Sequence, residues 1–134
     1  MKKIGIGIVG LGNIGSRLYK ELMAKKKDIG LKTNTKIDII AISAKNKNKK
    51  RNFRIKKNIF VNNPIDITKN KNVNIVIELI GLSDGISKKV VETALKNKIH
   101  VITPNKALIS KHGNELAKLA EKNKVNLEFE ASVA

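Results

Sequence analysis

The chain has 134 residues, enough for one domain with its own core and too few for a two-domain enzyme. It has no cysteine and only two histidines, which excludes a disulfide scaffold, thiolate zinc sites, cysteine catalysis and a histidine-rich metal cluster. Its formal charge of +17 raises the question of a polyanionic partner.

Lys3 to Val9 is an Ile/Val/Gly run that predicts a buried parallel strand. Met1-Lys2-Lys3 before it could open a signal peptide, but Gly5, Gly7, Gly10 and Gly12 break the apolar stretch and no cleavage site follows. No apolar run reaches the ~20 residues of a membrane span, so a cytoplasmic protein without a membrane partner is expected. From Asn13 the period changes. Ile14, Leu18, Leu22 and Met23 form one helical stripe, and the helix should stop by Gly30. Lys36 to Ser43 reads as a second strand.

Lys45 to Asn58 has no apolar period and reads as a basic loop. Of the 28 basic residues in the chain, 25 are Lys and 3 Arg, and Lys, Asn and Ile, all read from A/T-rich codons, make up 61 of the 134 residues. Nucleic-acid surfaces lean on Arg forks and aromatic stacking, both scarce here. Compositional drift and solubility therefore account for the charge better, and no nucleic-acid partner is expected.

Ile59 to Val61 predicts a short strand, Pro64 to Lys71 a turn or short helix, and Val73 to Ile80 a third strong strand. Ser83 and Asp84 are candidate caps for a helix with Ile86, Val90, Val91, Ala94 and Leu95 inward. Ile99 to Thr103 is a fourth strand, ended by Pro104. Asn105 to Lys124 reads as helix with Leu108, Leu116, Leu119 and Ala120 inward and a break near Gly113, and Asn126 to Phe129 begins a fifth strand. Alternating strands and helices predict an α/β fold: a doubly wound, mostly parallel sheet covered on both faces, in a single domain over residues 1–134.

Gly10-Leu11-Gly12-Asn13-Ile14-Gly15 is a G-x-G-x-x-G between a predicted strand and a predicted helix, the context that gives the pattern its meaning. Gly10 would allow the tight turn, Gly12 the approach of a pyrophosphate, and Gly15 close packing of helix on strand. The helix N-terminus offers free N–H groups and a partial positive charge to phosphates. Such Rossmann-type domains usually hold the adenosine ribose of NAD with an acid at the end of the second strand. Here that strand ends Ser43-Ala44-Lys45, with Arg51 beyond. A basic loop in that place favours NADP over NAD.

Thr103-Pro104-Asn105-Lys106 ends the fourth strand, on the side where open α/β sheets bind ligands. Lys106 could meet a phosphate or a substrate carbonyl there, or be a solvated surface lysine. His100 reads as a half-buried structural residue and His112 as a cap near the helix break. Glu78, in an otherwise apolar strand, is either an edge residue or a partner behind the site.

These residues resemble a known family. GLGNIG at 10–15, ISAK at 42–45, IELIG at 77–81, HVITPNKAL at 100–108, HGNELAKLAE at 112–121 and FEASVA at 129–134 stand in the order and spacing of the N-terminal half of homoserine dehydrogenases. TPNKAL together with FEASVA is the specific part. The resemblance implies reduction of L-aspartate 4-semialdehyde to L-homoserine with NADPH or NADH, feeding threonine, methionine and isoleucine synthesis.

Carried onto this chain, the resemblance implies that Gly10, Leu11, Gly12, Asn13, Ile14 and Gly15 bind the cofactor at the pyrophosphate turn. Gly81 and Thr103 would be further cofactor contacts, with Lys45 and Arg51 on the 2′-phosphate. Lys106 would lie beside nicotinamide and substrate as the catalytic lysine. Glu130 and the Val133 carbonyl would form part of a monovalent-cation (sodium) site in the full-length enzyme.

Several positions depart from the family. Lys45 replaces a frequent Arg, which keeps the charge and loses the bidentate fork. Leu82 replaces a common glycine, and Pro104 occupies a position that varies between Ala and Pro. The family continues past FEASVA into a substrate domain with the homoserine-binding acid, a catalytic Asp–Lys pair, the remaining cation ligands and the dimer interface. The resemblance therefore implies a fragment, inactive alone and dimeric only with that domain, with an aggregation-prone patch from Phe129 to Ala134. The alternatives are a stand-alone nucleotide-binding module or the cofactor domain of another amino-acid dehydrogenase.

Overall fold

The computed structural model describes residues 1–45 and 54–129. Among these residues five strands form one sheet: β1 Lys2–Val9, β2 Thr35–Ser43, β3 Ile75–Glu78, β4 His100–Thr103 and β5 Leu127–Phe129. Every pairing is parallel and the order is β2-β1-β3-β4-β5. Four helices connect them: α1 Asn13–Thr33, α2 Pro64–Ile67, α3 Ile86–Lys96 and α4 Lys106–Lys122. Where Ile59 to Val61 predicted a strand, a 3-10 turn at Lys57–Ile59 leads into a single parallel bridge from Phe60 to Ile42. That bridge stands outside β2, where the Rossmann strand order 3-2-1-4-5 puts its third strand.

The two sheet faces carry separate cores. On one, Ile6, Ile8, Ile42 and Ile77 pack with Tyr19, Leu18 and Leu22 of α1. On the other, Val9, Val76 and Val101 pack with Ile65 and Ile67 of α2, Val90, Val91, Ala94 and Leu95 of α3, and Leu108, Leu116 and Ala120 of α4. Each fully buried aliphatic side chain contributes about 1.5–3 kcal/mol. A bulge opposite Ile6/Gly7 lets Ile39 and Ile42 share the α1 face while Ile40 turns to the other. Both faces are covered, but unequally: among the described residues α1 is joined on its side only by Ile55, Ile59 and Phe60 from outside the sheet strands and their turns, and Ile102 of β4 remains 38% exposed.

Several predicted boundaries move. α1 does not stop by Gly30 but runs to Thr33 and ends at Asn34, whose left-handed φ of 54° and N–H bond to the Gly30 carbonyl close it. Gly30 serves contact instead, because a Cβ there would lie 2.5 Å from the Thr35 carbonyl oxygen. Ile14 and Met23 leave the predicted stripe and are exposed. β3 is shorter than Val73–Ile80, and α4 passes Gly113 without a break. Asn105 is not the first helical residue of α4 but its cap, accepting from the Leu108 N–H. Neither Ser83 nor Asp84 caps α3, which starts after Gly85 with no side-chain cap. No helix among the described residues is long and apolar enough to cross a membrane.

Candidate site at the carboxyl edge of the sheet

The ends of β1, β2, β3 and β4 meet along one edge. Gly10 follows β1 with φ of 100°, and its N–H donates to the Ser43 carbonyl at the end of β2, 3.0 Å away. A Cβ on Gly10 would crowd the Leu79–Ile80 peptide at 3.0–3.2 Å, so the turn lies tightly against the chain leaving β3. Gly15 brings α1 onto this turn, because a Cβ there would sit 2.3 Å from the Gly10 carbonyl oxygen. Gly12, the N-cap of α1, differs from both. Its Cβ would meet nothing within 4 Å.

No side chain caps α1 and no acid lies in its first turn. The leading N–H groups of a helix have no intrahelical partner, and the dipole adds a partial positive charge there. Open space outside Gly12 and uncapped donors behind it make a cradle for an anion, so these residues fit a dinucleotide phosphate. Asn13 and Ile14 are exposed at its mouth, Ile14 by 68%. The Leu11 side chain turns into the core at 5% exposure, which leaves its backbone to the turn. Lys45 is exposed just past β2, with no acid between it and Ser43. Arg51 lies outside the described residues, as do Glu130 and Val133 of the expected cation site. Among the described residues no cluster of His, Asp and Glu could hold a metal.

Glu78 settles the choice left by its sequence: it is a buried partner behind this edge, with no exposed surface. One carboxylate oxygen accepts the N–H groups of Ile80 and Gly81 at 2.8 and 2.9 Å. The other accepts the Thr103 hydroxyl at 2.8 Å and the Asn105 amide at 3.2 Å. Asn105 also donates to the Leu82 carbonyl at 2.7 Å. Gly81, with φ of 88° and open space at its Cβ position, and Lys106, exposed at the first position of α4, therefore sit on two loops joined through one carboxylate. Thr103 is wholly buried, so its hydroxyl serves this junction.

The remaining candidates lie elsewhere. His100 is half-buried on β4, its Nδ1 accepting the Asn126 N–H at 3.0 Å, a structural place. His112 caps no break. Its Nε2 lies 2.8 Å from Asp84, which also bonds Lys111. The Lys111 and His112 bonds hold the Asp84 carboxyl down at about 2.

Residues 10–130 match the family model described as the NAD-binding domain of homoserine dehydrogenase. A homoserine dehydrogenase of Neisseria gonorrhoeae is 36% identical over the whole chain, and one of Bacillus subtilis 33%. The chain spans 30% and 31% of their lengths. A crystal structure of Staphylococcus aureus homoserine dehydrogenase superposes on all of the chain with a TM-score of 0.89 at 38% identity, and the chain covers 34% of it.

Proposed function

The chain belongs to the homoserine dehydrogenase NAD-binding domain family, and on that premise we propose that residues 1–134 are the cofactor-binding domain of a homoserine dehydrogenase that prefers NADPH. The observation that carries the reading is the uncapped start of α1 at Gly12, open to a ligand at the crevice where the connections leave β1 and β3 on opposite faces. The Gly10–Gly15 turn binds the pyrophosphate through the uncapped backbone N–H groups at the start of α1, while the Gly10 N–H stays on the Ser43 carbonyl and shapes the turn. Lys45 draws the 2′-phosphate, and the absence of an acid at the end of β2 removes the group that would repel it. Gly81 and Thr103 border the nicotinamide end, Gly81 through open backbone and Thr103 through the junction at Glu78.

When bound, the nicotinamide would supply the hydride, and solvent the proton, that together reduce L-aspartate 4-semialdehyde to L-homoserine. Lys106, at the start of α4, places an ammonium where it holds and polarises the aldehyde oxygen as negative charge develops. Substrate groups come from the part of the enzyme that this chain, about 30% of its relatives' length, does not span. Hydride transfer needs both reactants fixed together, so this chain alone binds cofactor without turning substrate over.

Calorimetric titration with NADPH and NADH tests the reading. Saturable 1:1 binding, tighter for NADPH, is expected, and Lys45→Glu should weaken NADPH roughly tenfold while leaving NADH nearly unchanged. A folded sample that binds neither nucleotide would overturn it.

A further inference from the structure

We propose that Glu78 is a positioning residue that sets the nicotinamide end of the site by holding the 80–82 and 103–106 loops in one register. The inference rests on the cofactor reading above and deepens it. Glu78 is fully buried, and no cation forms an ion pair with it among the described residues. A carboxylate in such a place needs hydrogen bonds to every available lone pair. It receives four, and each partner is fixed as a donor. Ile80 and Gly81 offer backbone N–H groups, which can only donate. The Thr103 oxygen accepts the Asn105 N–H at 3.1 Å, which leaves its proton for Glu78. The Asn105 side-chain oxygen caps α4 at Leu108, 3.0 Å away, which turns its amide nitrogen to Glu78 and Leu82.

The pocket between the loops therefore accepts a group with acceptors only. An amide at position 78 would set an N–H against a donor in either orientation. It would keep the size of the side chain and lose the register between the loops. Thr103 and Asn105 lie 25 and 27 residues from Glu78 in sequence, and the direct Asn105–Leu82 bond between the same loops uses the amide nitrogen that Glu78 also holds. The Gly10–Gly15 turn contributes none of the four bonds. The two ends of the dinucleotide site are thus shaped by different devices, which touch at the Leu79–Ile80 peptide. Glycine packing shapes the pyrophosphate end, and the carboxylate shapes the nicotinamide end.

The test compares NADPH with 2′-phospho-ADP-ribose, the same ligand without its nicotinamide, on the wild-type chain and on Glu78→Gln. Amide NMR spectra report the fold. In Glu78→Gln the Ile80, Gly81, Leu82 and Asn105 amides should shift while those of Asn13 to Ser16 stay. NADPH should bind roughly tenfold more weakly, with phospho-ADP-ribose within about twofold of wild type. Equal loss of both ligands, or no loss of either, in a folded variant would overturn the proposal. So would a wild-type chain that binds both ligands equally well, since the nicotinamide would then gain nothing from these loops. A wild-type chain that binds neither ligand fails the cofactor reading itself, and the proposal with it. If Glu78→Gln does not fold, Thr103→Val removes one donor and is read by the same comparison.

Discussion

Gly15 rests on the carbonyl oxygen of Gly10, so closely that a Cβ at 15 would lie 2.3 Å from it. This contact fixes where α1 begins relative to β1. Gly15→Ala should push the helix off the turn, at a cost of about 1–3 kcal/mol, the usual range for overpacking. Urea unfolding checks it. Unchanged stability would mean that the helix start can shift freely.

Gly12 should behave in the opposite way. Its φ is −79°, which any residue adopts, and the space beside it is open. Gly12→Ser would supply the missing cap to α1 and gain a few tenths of a kcal/mol in stability. The new side chain would occupy the anion cradle, so NADPH affinity should fall by roughly tenfold or more. Thermal melts and titration of the same sample give the two signs. A loss of stability, or unchanged binding, would refute the division of labour between the two glycines.

The five strands of the sheet were legible in the sequence because Ile and Val runs such as Ile6–Val9, Ile39–Ile42 and Ile75–Ile77 reflect a sheet buried on both sides, whereas Ile59–Val61, a similar run, makes only a bridge. Helix ends were less so. Gly30 looks like a terminator, yet it is there for the close approach of α1 to Thr35, and an asparagine ends the helix instead. Asp84 carries the chemistry of a cap, but Lys111 and His112, 27 and 28 residues on, draw it away from α3. Glu78 was ambiguous for the same reason. Its side-chain partners, Thr103 and Asn105, are brought to it by the β3–β4 pairing. The glycine pattern of the site is local and readable, whereas the carboxylate junction is tertiary.

Asp84 links the segment before α3 to α4 and gives stability a defined pH dependence. Its folded value of about 2 lies below the ordinary 3.8, because Lys111 and then His112 bond the ionised form. A depressed carboxyl stabilises the fold above the unfolded value and loses that contribution as pH falls through the folded one. The contribution should be present above about pH 4 and vanish toward pH 2. The pair is half exposed, so the effect is small and salt weakens it. Chemical denaturation of wild type and Asp84→Asn should converge at the acid end of this window. Parallel curves throughout would remove Asp84 from the acid response.

Gly113 gives a prediction of opposite direction to Gly15. It lies inside α4, where glycine costs about 0.5–1 kcal/mol relative to alanine through lost chain entropy. Its backbone is not left-handed, and the nearest obstacle to a Cβ is the Ile109 Cγ2 methyl at 3.2 Å. Ile109 is half exposed on the same helix, so it can move by the few tenths of an ångström required. Gly113→Ala should therefore stabilise the chain by about 0.5 kcal/mol, raising Tm by a few degrees. His112 keeps its bond to Asp84, since Asp84 lies more than 4 Å from the added methyl. A lower Tm would show that Ile109 is locked in place and that α4 needs the glycine for packing.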